Sequence, residues 1–436
     1  MNKAYAFFCR AFQGVFRAAL PILPYREPVQ LDGLDSIVPL LREKEVSSVL
    51  LVTDAPVRSL GLTKPLEDAL KEASIACAVY DKTVPNPTIQ NIEEGRTLYL
   101  SSRAQAIIAV GGGSVMDCAK VIGARIAKPH QSVQRMGGLL RILRKTPTLI
   151  AVPTTAGTGS ETTLAAVITD PAARHKYPIN DFVLIPDYAV LEPELTRGLP
   201  RGLTATTGMD ALTHAIEAYI GRSTTKLTRA MSEEAATLIV RSLYKAYQDG
   251  GDMDARRDML RAAYCAGVSF TRSYVGYVHG VAHSLGGQYG VPHGLANAVI
   301  LPYFLDAYGS ACHKKLGRLA RIAGVAPQSA DDRDASEAFI RWIREMNAAM
   351  GIPDHIQEIR ISDIPEMAHH AAQESNPLYP VPVLMNEREL AAMYLKLMPR
   401  KEQNAWTPSR LKNSSLSSAL SLKPERRSAL ISAFKA

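Results

Sequence analysis

The pattern that most restricts the fold is the alternation of short apolar runs with helical segments across the first half of the chain. "SSVLLVTD" (47–54), "ACAVYDKTVPNP" (76–87), "QAIIAVGGGS" (105–114) and "TLIAVPTTAGTGSE" (148–161) each read as a buried strand running into turn residues. Between them, "LEDALKEAS" and "IEEGRTLYLSSR" read as helices. Parallel strands need a long crossover, so strand, helix, strand at this spacing predicts a parallel sheet covered on both faces. After "VLEPELTRGLP" (191–200) the strands give way to Ala/Leu/Met-rich segments such as "TKLTRAMSEEAATLIVRSLYKAYQDG". The expected fold is an α/β domain over 28–195 followed by an all-α domain over 196–400, with an N-terminal segment at 1–27 and a tail at 401–436.

Length agrees with two domains, since 436 residues exceed one ordinary core. The five cysteines, Cys9, Cys77, Cys118, Cys265 and Cys312, lack CxxC spacing and are odd in number. They argue against a disulfide framework and make a reducing cytoplasm the simplest compartment. Net charge is +8, but it lies at the ends. Lys3, Arg10, Arg17 and Arg26 against Glu27 give +3 over 1–27, and seven cations against two give +5 over 401–436. The body between them sums to zero and offers no basic footprint for nucleic acid.

The opening "MNKAYAFFCRAFQGVFRAALPILPYREP" is interrupted by Arg10 and Arg17, which argues against a signal peptide or spanning helix. Phe8, Phe12, Val15, Phe16 and Ala19 recur at helical spacing, predicting an amphipathic helix packed on the body or on a second subunit. A peripheral membrane contact is the sharper but less favoured alternative. The Ser-rich basic tail reads as poorly ordered.

Two loops carry the first chemistry. In "AVGGGSVMDCAKVIG" three glycines let the backbone approach a bulky group, Ser114 is placed to cap the following helix, and the helix N-terminus suits a phosphate. A Gly-rich turn alone is weak, and this is not GxGxxG. In a parallel sheet, however, "PTTAGTGSET" (153–162) and Asp54 fall on the same edge, where open α/β sheets bind ligands. A carboxylate there accepts from an adenosine ribose and repels a 2′-phosphate, favouring NAD over NADP. The plainer reading of Asp54 is a turn or helix cap before "APVRS".

The second chemistry is histidine. "TTGMDALTHAIEAYI" places Asp210 and His214 four apart on one helix face, and "HGVAH" does the same for His279 and His283. His293 follows in "YGVPHG". Asp210, His214, His279 and His293 make an N3O set for a divalent cation. A lone histidine would more often be a packed core residue, but two such pairs and a third neighbour are not lone.

Together, "GGGSVMDCAK", "PTTAGTGSE", "GMDALTHAIEAY" and "HGVAHSLGGQYGVPHG" resemble, in order and spacing, the iron-containing (group III) alcohol dehydrogenases over about residues 26–400. The resemblance implies an N-terminal dinucleotide-binding domain, a helical C-terminal domain, a catalytic metal between them, and a homodimer or higher oligomer. It makes Asp210, His214, His279 and His293 the metal ligands and His283 a cleft histidine that does not ligate. It assigns Gly111, Gly112, Gly113 and Ser114 to the pyrophosphate, Asp54 to the ribose, and Asn86, Thr154, Thr155, Thr158 and Lys176 to further cofactor contacts. Phe270 is similar to a substrate-pocket wall, although a core aromatic is nearly as good a reading. The resemblance favours Fe(II), with Zn(II) second.

The chemistry follows from the residues themselves. An alcohol cannot give hydride to a nicotinamide while keeping its hydroxyl proton, and a divalent cation lowers that pKa. His283 is placed to relay the proton. Ala165, Ala166 and Val167, with Phe270 opposite, predict a small apolar pocket for a short-to-medium aliphatic alcohol, aldehyde or diol. Rival readings are a glycerol-dehydrogenase-like polyol oxidoreductase or a cyclising sugar-phosphate synthase, which share the two-domain plan, and, from another class, a non-catalytic nucleotide-binding module.

Overall fold

The computed structural model describes residues 1–171 and 175–399, without the side chains of 175 and 176. The tail reading at 401–436 therefore lies outside the described residues. Among the described residues, nine strands form two sheets: β1 (Val29–Leu31), β2 (Ser48–Val52), β3 (Ala76–Tyr80), β4 (Ala106–Gly111), β5 (Gly138–Leu139), β6 (Thr148–Pro153), β7 (Ala165–Asp170), β8 (His175–Asn180) and β9 (Tyr188–Val190). The main sheet is six-stranded, in order β1-β9-β6-β4-β2-β3, and every pairing in it is parallel.

Strands β2 and β4 are buried along their whole length, which explains why they read as continuous apolar runs. Their side chains still alternate. Leu50, Val52, Ile107 and Ala109 enter one core, beneath α5 (Ile89–Ser101) and α6 (Gly113–Ala127), while Val49, Leu51, Ile108 and Val110 enter the other. That second face is covered by two further helices, Ile37–Glu43 and Lys64–Glu72. The chain leaves β2 towards β3 and returns past β2 to β4, so connections diverge between β2 and β4. In such sheets this is where ligands bind.

A smaller sheet, order β5-β8-β7, was not legible in the sequence; its β7–β8 pair is antiparallel. In β7, Ala166 and Ile168 point into the main domain's core and Val167 points out. The expectation that Ala166 faces a pocket is thus corrected by the period-2 alternation of the strand.

From Arg201 onward the described chain is helical: Arg201–Ile220, Lys226–Gln248, Met253–Ser273, Tyr277–Tyr289, His293–Tyr308, Ser310–Ile322, Asp332–Ala349, Ile364–Ser375 and Glu387–Leu397. These share one core, and helix 201–220 runs through it, buried on all sides from Gly208 to Ile220. Such a helix has little room for charge, yet it carries Asp210, His214 and Glu217, all at most 4 % exposed.

The N-terminal helix, Lys3–Ala19, is amphipathic as expected but inverted. Cys9 and Gln13 are buried and Phe16 meets Tyr274 edge-on at 5.0 Å, whereas Phe8, Phe12 and Val15 face solvent.

Candidate functional site

The register of the main sheet sets Val52 beside Ala109 and Gly111 beside Pro153, so the turns after β2, β4 and β6 emerge side by side. The Thr154 N–H donates to the Gly111 carbonyl at 3.0 Å. A β-carbon at Gly113 would lie 3.0 Å from the Thr158 methyl, one at Gly112 would lie 3.5 Å from Thr155, and one at Gly111 would meet Val115 at 2.5 Å. It is glycine at 113 that lets these two loops touch so closely.

Ser114 does not cap α6, correcting the sequence expectation. It is the second helical residue, and its Oγ accepts from the Asn86 N–H at 3.2 Å. Gly112 holds the N-cap position and supplies no side chain, which leaves that N-terminus able to receive an anion. Asp54 does cap: its Oδ1 accepts from Val57 N–H at 2.8 Å at the start of helix Ala55–Ser59, a role that occupies one of its two oxygens. Lys176 lies on β8 opposite Thr169, and its side chain is outside the description.

Below this edge, Asp210, His214, His279 and His293 offer ligand atoms all within 4.8 Å of one another. The carboxylate and His214 come from helix 201–220, His279 from 277–289, and His293 is the first residue of 293–308. Asp210 Oδ1 lies 3.9 Å from His279 Nε2 and 3.5 Å from His293 Nε2. His214 Nδ1 and His279 Nε2 are buried with no hydrogen-bond partner, which for groups of this polarity costs about 1–3 kcal/mol each unless something binds them. Burial lowers the pKa of all three imidazoles, most in His279, where neighbouring histidines add to it, and to about 4 in His293. Neutral imidazoles beside one carboxylate are the protonation state that a divalent cation requires, and the donor set fits one.

Glu217 was not anticipated. Its Oε2 takes His279 Nδ1 at 2.6 Å and Gly276 N–H at 2.8 Å, and its Oε1 takes Val278 N–H at 3.0 Å. When ionised, this acceptor-only group requires the proton on Nδ1 and so turns the Nε2 lone pair towards Asp210. Burial pushes Glu217 up to about 7 against the pull of those donors. The signal was present: a carboxylate three residues after His214 on the same helix. Asn297, one turn after His293, likewise steadies the site by donating Nδ2 to Asp210 Oδ1 at 2.6 Å.

His283 stands at the partly exposed mouth, its ring stacked on His293 at 5.2 Å and its Nδ1 2.6 Å from Glu374 Oε1. Desolvation pulls its pKa down, but the Glu374 carboxylate outweighs this and holds it above the ordinary histidine value. Phe270 stacks on His214 with centroids 4.1 Å apart. Nothing local announced Glu374, which lies 91 residues from its partner.

Beneath the loops, Lys120 is buried and donates to Ser160 Oγ, Thr163 Oγ1 and the Ala165 carbonyl at 2.8–2.9 Å. Asp117 accepts from Ser160 Oγ and Val167 N–H, both at 2.9 Å. Both residues lie in "GGGSVMDCAK", where no role was foreseen for them. They tie α6 to loop 160–165. That loop reaches the helices: Gly159, at φ 61°, lies so close to helix 253–273 that a β-carbon would be 2.7 Å from the Gly267 Cα, and one at Gly157 would lie 2.6 Å from the Thr207 Cβ on helix 201–220.

Comparison with known proteins agrees with this geometry. Residues 30–193 match the family described as iron-containing alcohol dehydrogenase, and residues 204–398 match the C-terminal part of the Fe-containing alcohol dehydrogenase family. The 1,3-propanediol dehydrogenase of Klebsiella pneumoniae is 37% identical over 350 residues, covering 79% of this chain and 90% of that one. The NAD-dependent methanol dehydrogenase of Bacillus methanolicus is 35% identical over 343 residues, covering 77% and 90%. A crystal structure of 1,3-propanediol oxidoreductase superposes with a TM-score of 0.82 at 34% identity, covering 86% of this chain and 99% of that one. The chain belongs to the iron-containing alcohol dehydrogenase family, a family of oxidoreductases acting on alcohols.

Proposed function

We propose that the chain interconverts short-to-medium aliphatic alcohols or diols and their aldehydes, with NAD(H) preferred over NADP(H) and Fe(II) over Zn(II) as its metal. Asp210, His214, His279 and His293 are the four protein ligands. The observation that carries this reading is the pair of buried, unpartnered imidazole nitrogens, His214 Nδ1 and His279 Nε2, in one compact group with Asp210 and His293.

A divalent metal bound there supplies Lewis acidity towards the substrate oxygen. The protein supplies the rest. Gly111, Gly112, Gly113 and the α6 N-terminus receive the pyrophosphate, with Ser114, Asn86, Thr154, Thr155, Thr158 and Lys176 around it. Asp54 accepts from the ribose through the oxygen its capping bond leaves, and its charge disfavours a 2′-phosphate. Phe270 and Val167 bound the alkyl chain. His283, its pKa raised by Glu374, passes the hydroxyl proton from the cleft to solvent. In keeping with the family resemblance, the enzyme works as a homodimer or higher homo-oligomer in the cytoplasm.

The test is elemental analysis of anaerobically purified protein together with NADH and NADPH consumption on a panel of short aldehydes, for the wild type and His279→Ala. A stoichiometric divalent metal and NADH-linked reduction, both lost in the variant, is the expected result. Protein that binds NADH but takes up neither Fe(II) nor Zn(II) and turns nothing over would make this a nucleotide-binding module.

A further inference from the structure

The N-terminal helix lies outside both family matches, the first of which begins at residue 30. Its polar side holds it to the body. Arg10 donates to the Val381 and Pro382 carbonyls at 2.7 and 2.9 Å, and Gln13 Nε2 donates to the Pro377 and Tyr379 carbonyls at 3.1 and 2.8 Å. The outward side is apolar: Phe7 is 76% exposed, Val15 73%, Phe8 52%, Tyr5 44% and Phe12 40%. Tyr5, Phe8 and Phe12 form a continuous aromatic row with ring centroids 6.2 and 6.4 Å apart. An amphipathic helix fixed by its polar residues with its aromatic face in water has been turned towards a second apolar phase.

Charge decides which one. Residues 1–26 contain no Asp or Glu, and Lys3 and Arg17 stand at the two ends of the helix. The strap that anchors the helix also receives the Arg222 N–H, at the Pro380 carbonyl, 2.7 Å away. Arg222, in the turn before helix 226–248, and Arg229, in that helix's first turns, are exposed, and among the described residues neither they nor Arg17 form an ion pair. Lys315 is held beside them on the Ile220 and Gly221 carbonyls. Neighbouring carboxylates are mostly matched by cations: Glu27 with Arg272, Glu233 with Arg318, and Glu389 with the amino terminus, while Glu387, near Tyr5, is bonded to His369. A second copy of this helix packed antiparallel would set Lys3 against Arg17 with no carboxylate between them, and a parallel one would set like against like. An anionic lipid surface offers apolar depth for the aromatics and phosphates for the cations together. Among the described helices none is long and apolar enough to cross a membrane, so the contact is in the plane of the interface.

We propose that residues 3–22 form a peripheral membrane anchor, seating Tyr5, Phe7, Phe8, Phe12 and Val15 in an anionic bilayer surface while Arg17, Arg222 and Arg229 meet its headgroups. This revises the sequence-based preference against a membrane contact.

The test is flotation of the full-length chain with phosphatidylcholine vesicles, pure or containing about one-quarter phosphatidylglycerol. The wild type is expected to float at least about tenfold more on the anionic vesicles at low salt and to be released at high salt. Phe7→Ser/Phe8→Ser/Phe12→Ser should lose most of that binding while its melting temperature stays unchanged, because these side chains are exposed. Arg17→Gln/Arg222→Gln/Arg229→Gln should lose its salt-sensitive part. Undiminished flotation of the triple serine variant would assign binding to the basic tail and overturn the proposal. So would a wild type that ignores vesicles, including one whose light-scattering mass falls in the serine variant, which would give this face to a second copy.

Discussion

Two buried carboxylates carry testable consequences at the level of single residues. Glu217 accepts three N–H groups on two oxygens. Glutamine has the same shape but must turn an amide towards a donor, so Glu217→Gln should loosen the orientation of His279 and weaken divalent-metal affinity about 10–100-fold, as loss of such partners does elsewhere. Chelator competition reads this directly, and unchanged affinity would remove Glu217 from the design. Glu161 is 2% exposed, and burial pushes its pKa up to about 7. Below about pH 4 it is protonated in both folded and unfolded chains. As pH rises towards 7 the unfolded chain releases a proton that the native state keeps, so stability falls, and above 7 the loss levels off. Glu161→Gln should therefore match the wild type near pH 4 and exceed it by about 1–3 kcal/mol at pH 8. Denaturant melts of both proteins across that range test it; a pH-independent difference would contradict it.

At the level of elements, the contact between Gly113 and Thr158 governs how the turns after β4 and β6 share one edge. Gly113→Ala presses a methyl against Thr158 and should weaken NADH binding about tenfold or more, that is, by about 1.4 kcal/mol. Adding Thr158→Ala, which removes the facing methyl, should restore part of it; titration of NADH fluorescence through the four-protein cycle shows whether the two couple. Elements also separate what could be read beforehand from what could not. β2, β4 and β6 were legible because each is a continuous buried run closed by turn residues. β1 and β9, three residues each, carry too little pattern, and in β7 the alternation of Ala166, Val167 and Ile168 is too short to stand out. The clustering of Asp210, His214, His279 and His293 was legible from spacing within helices. Glu374 was not, because it reaches His283 only through packing of helix 364–375 on 277–289. The inversion of the N-terminal helix was hidden because helical period gives a face but not its direction.

For the molecule as a whole, the four proposed ligands come from three helices of one core, so a metal that binds the native state alone stabilises that entire assembly. Saturating Fe(II) or Zn(II) at about 100 times its dissociation constant should add about 2.7 kcal/mol. The thermal midpoint should rise accordingly, fall again with chelator, and not respond in His279→Ala. An unresponsive wild type would show that the cluster is closed by internal packing alone. The contact between Gly159 and Gly267 sets how closely the two halves approach at this same scale. A β-carbon on Gly159 would lie 2.7 Å from the Gly267 Cα, and one on Gly267 would lie 2.8 Å from the Gly159 carbonyl oxygen, so the two backbones have no room between them for even a methyl group. Any larger residue at either position would wedge the loop after β6 away from helix 253–273, and with it the sheet-bearing half away from the helical half.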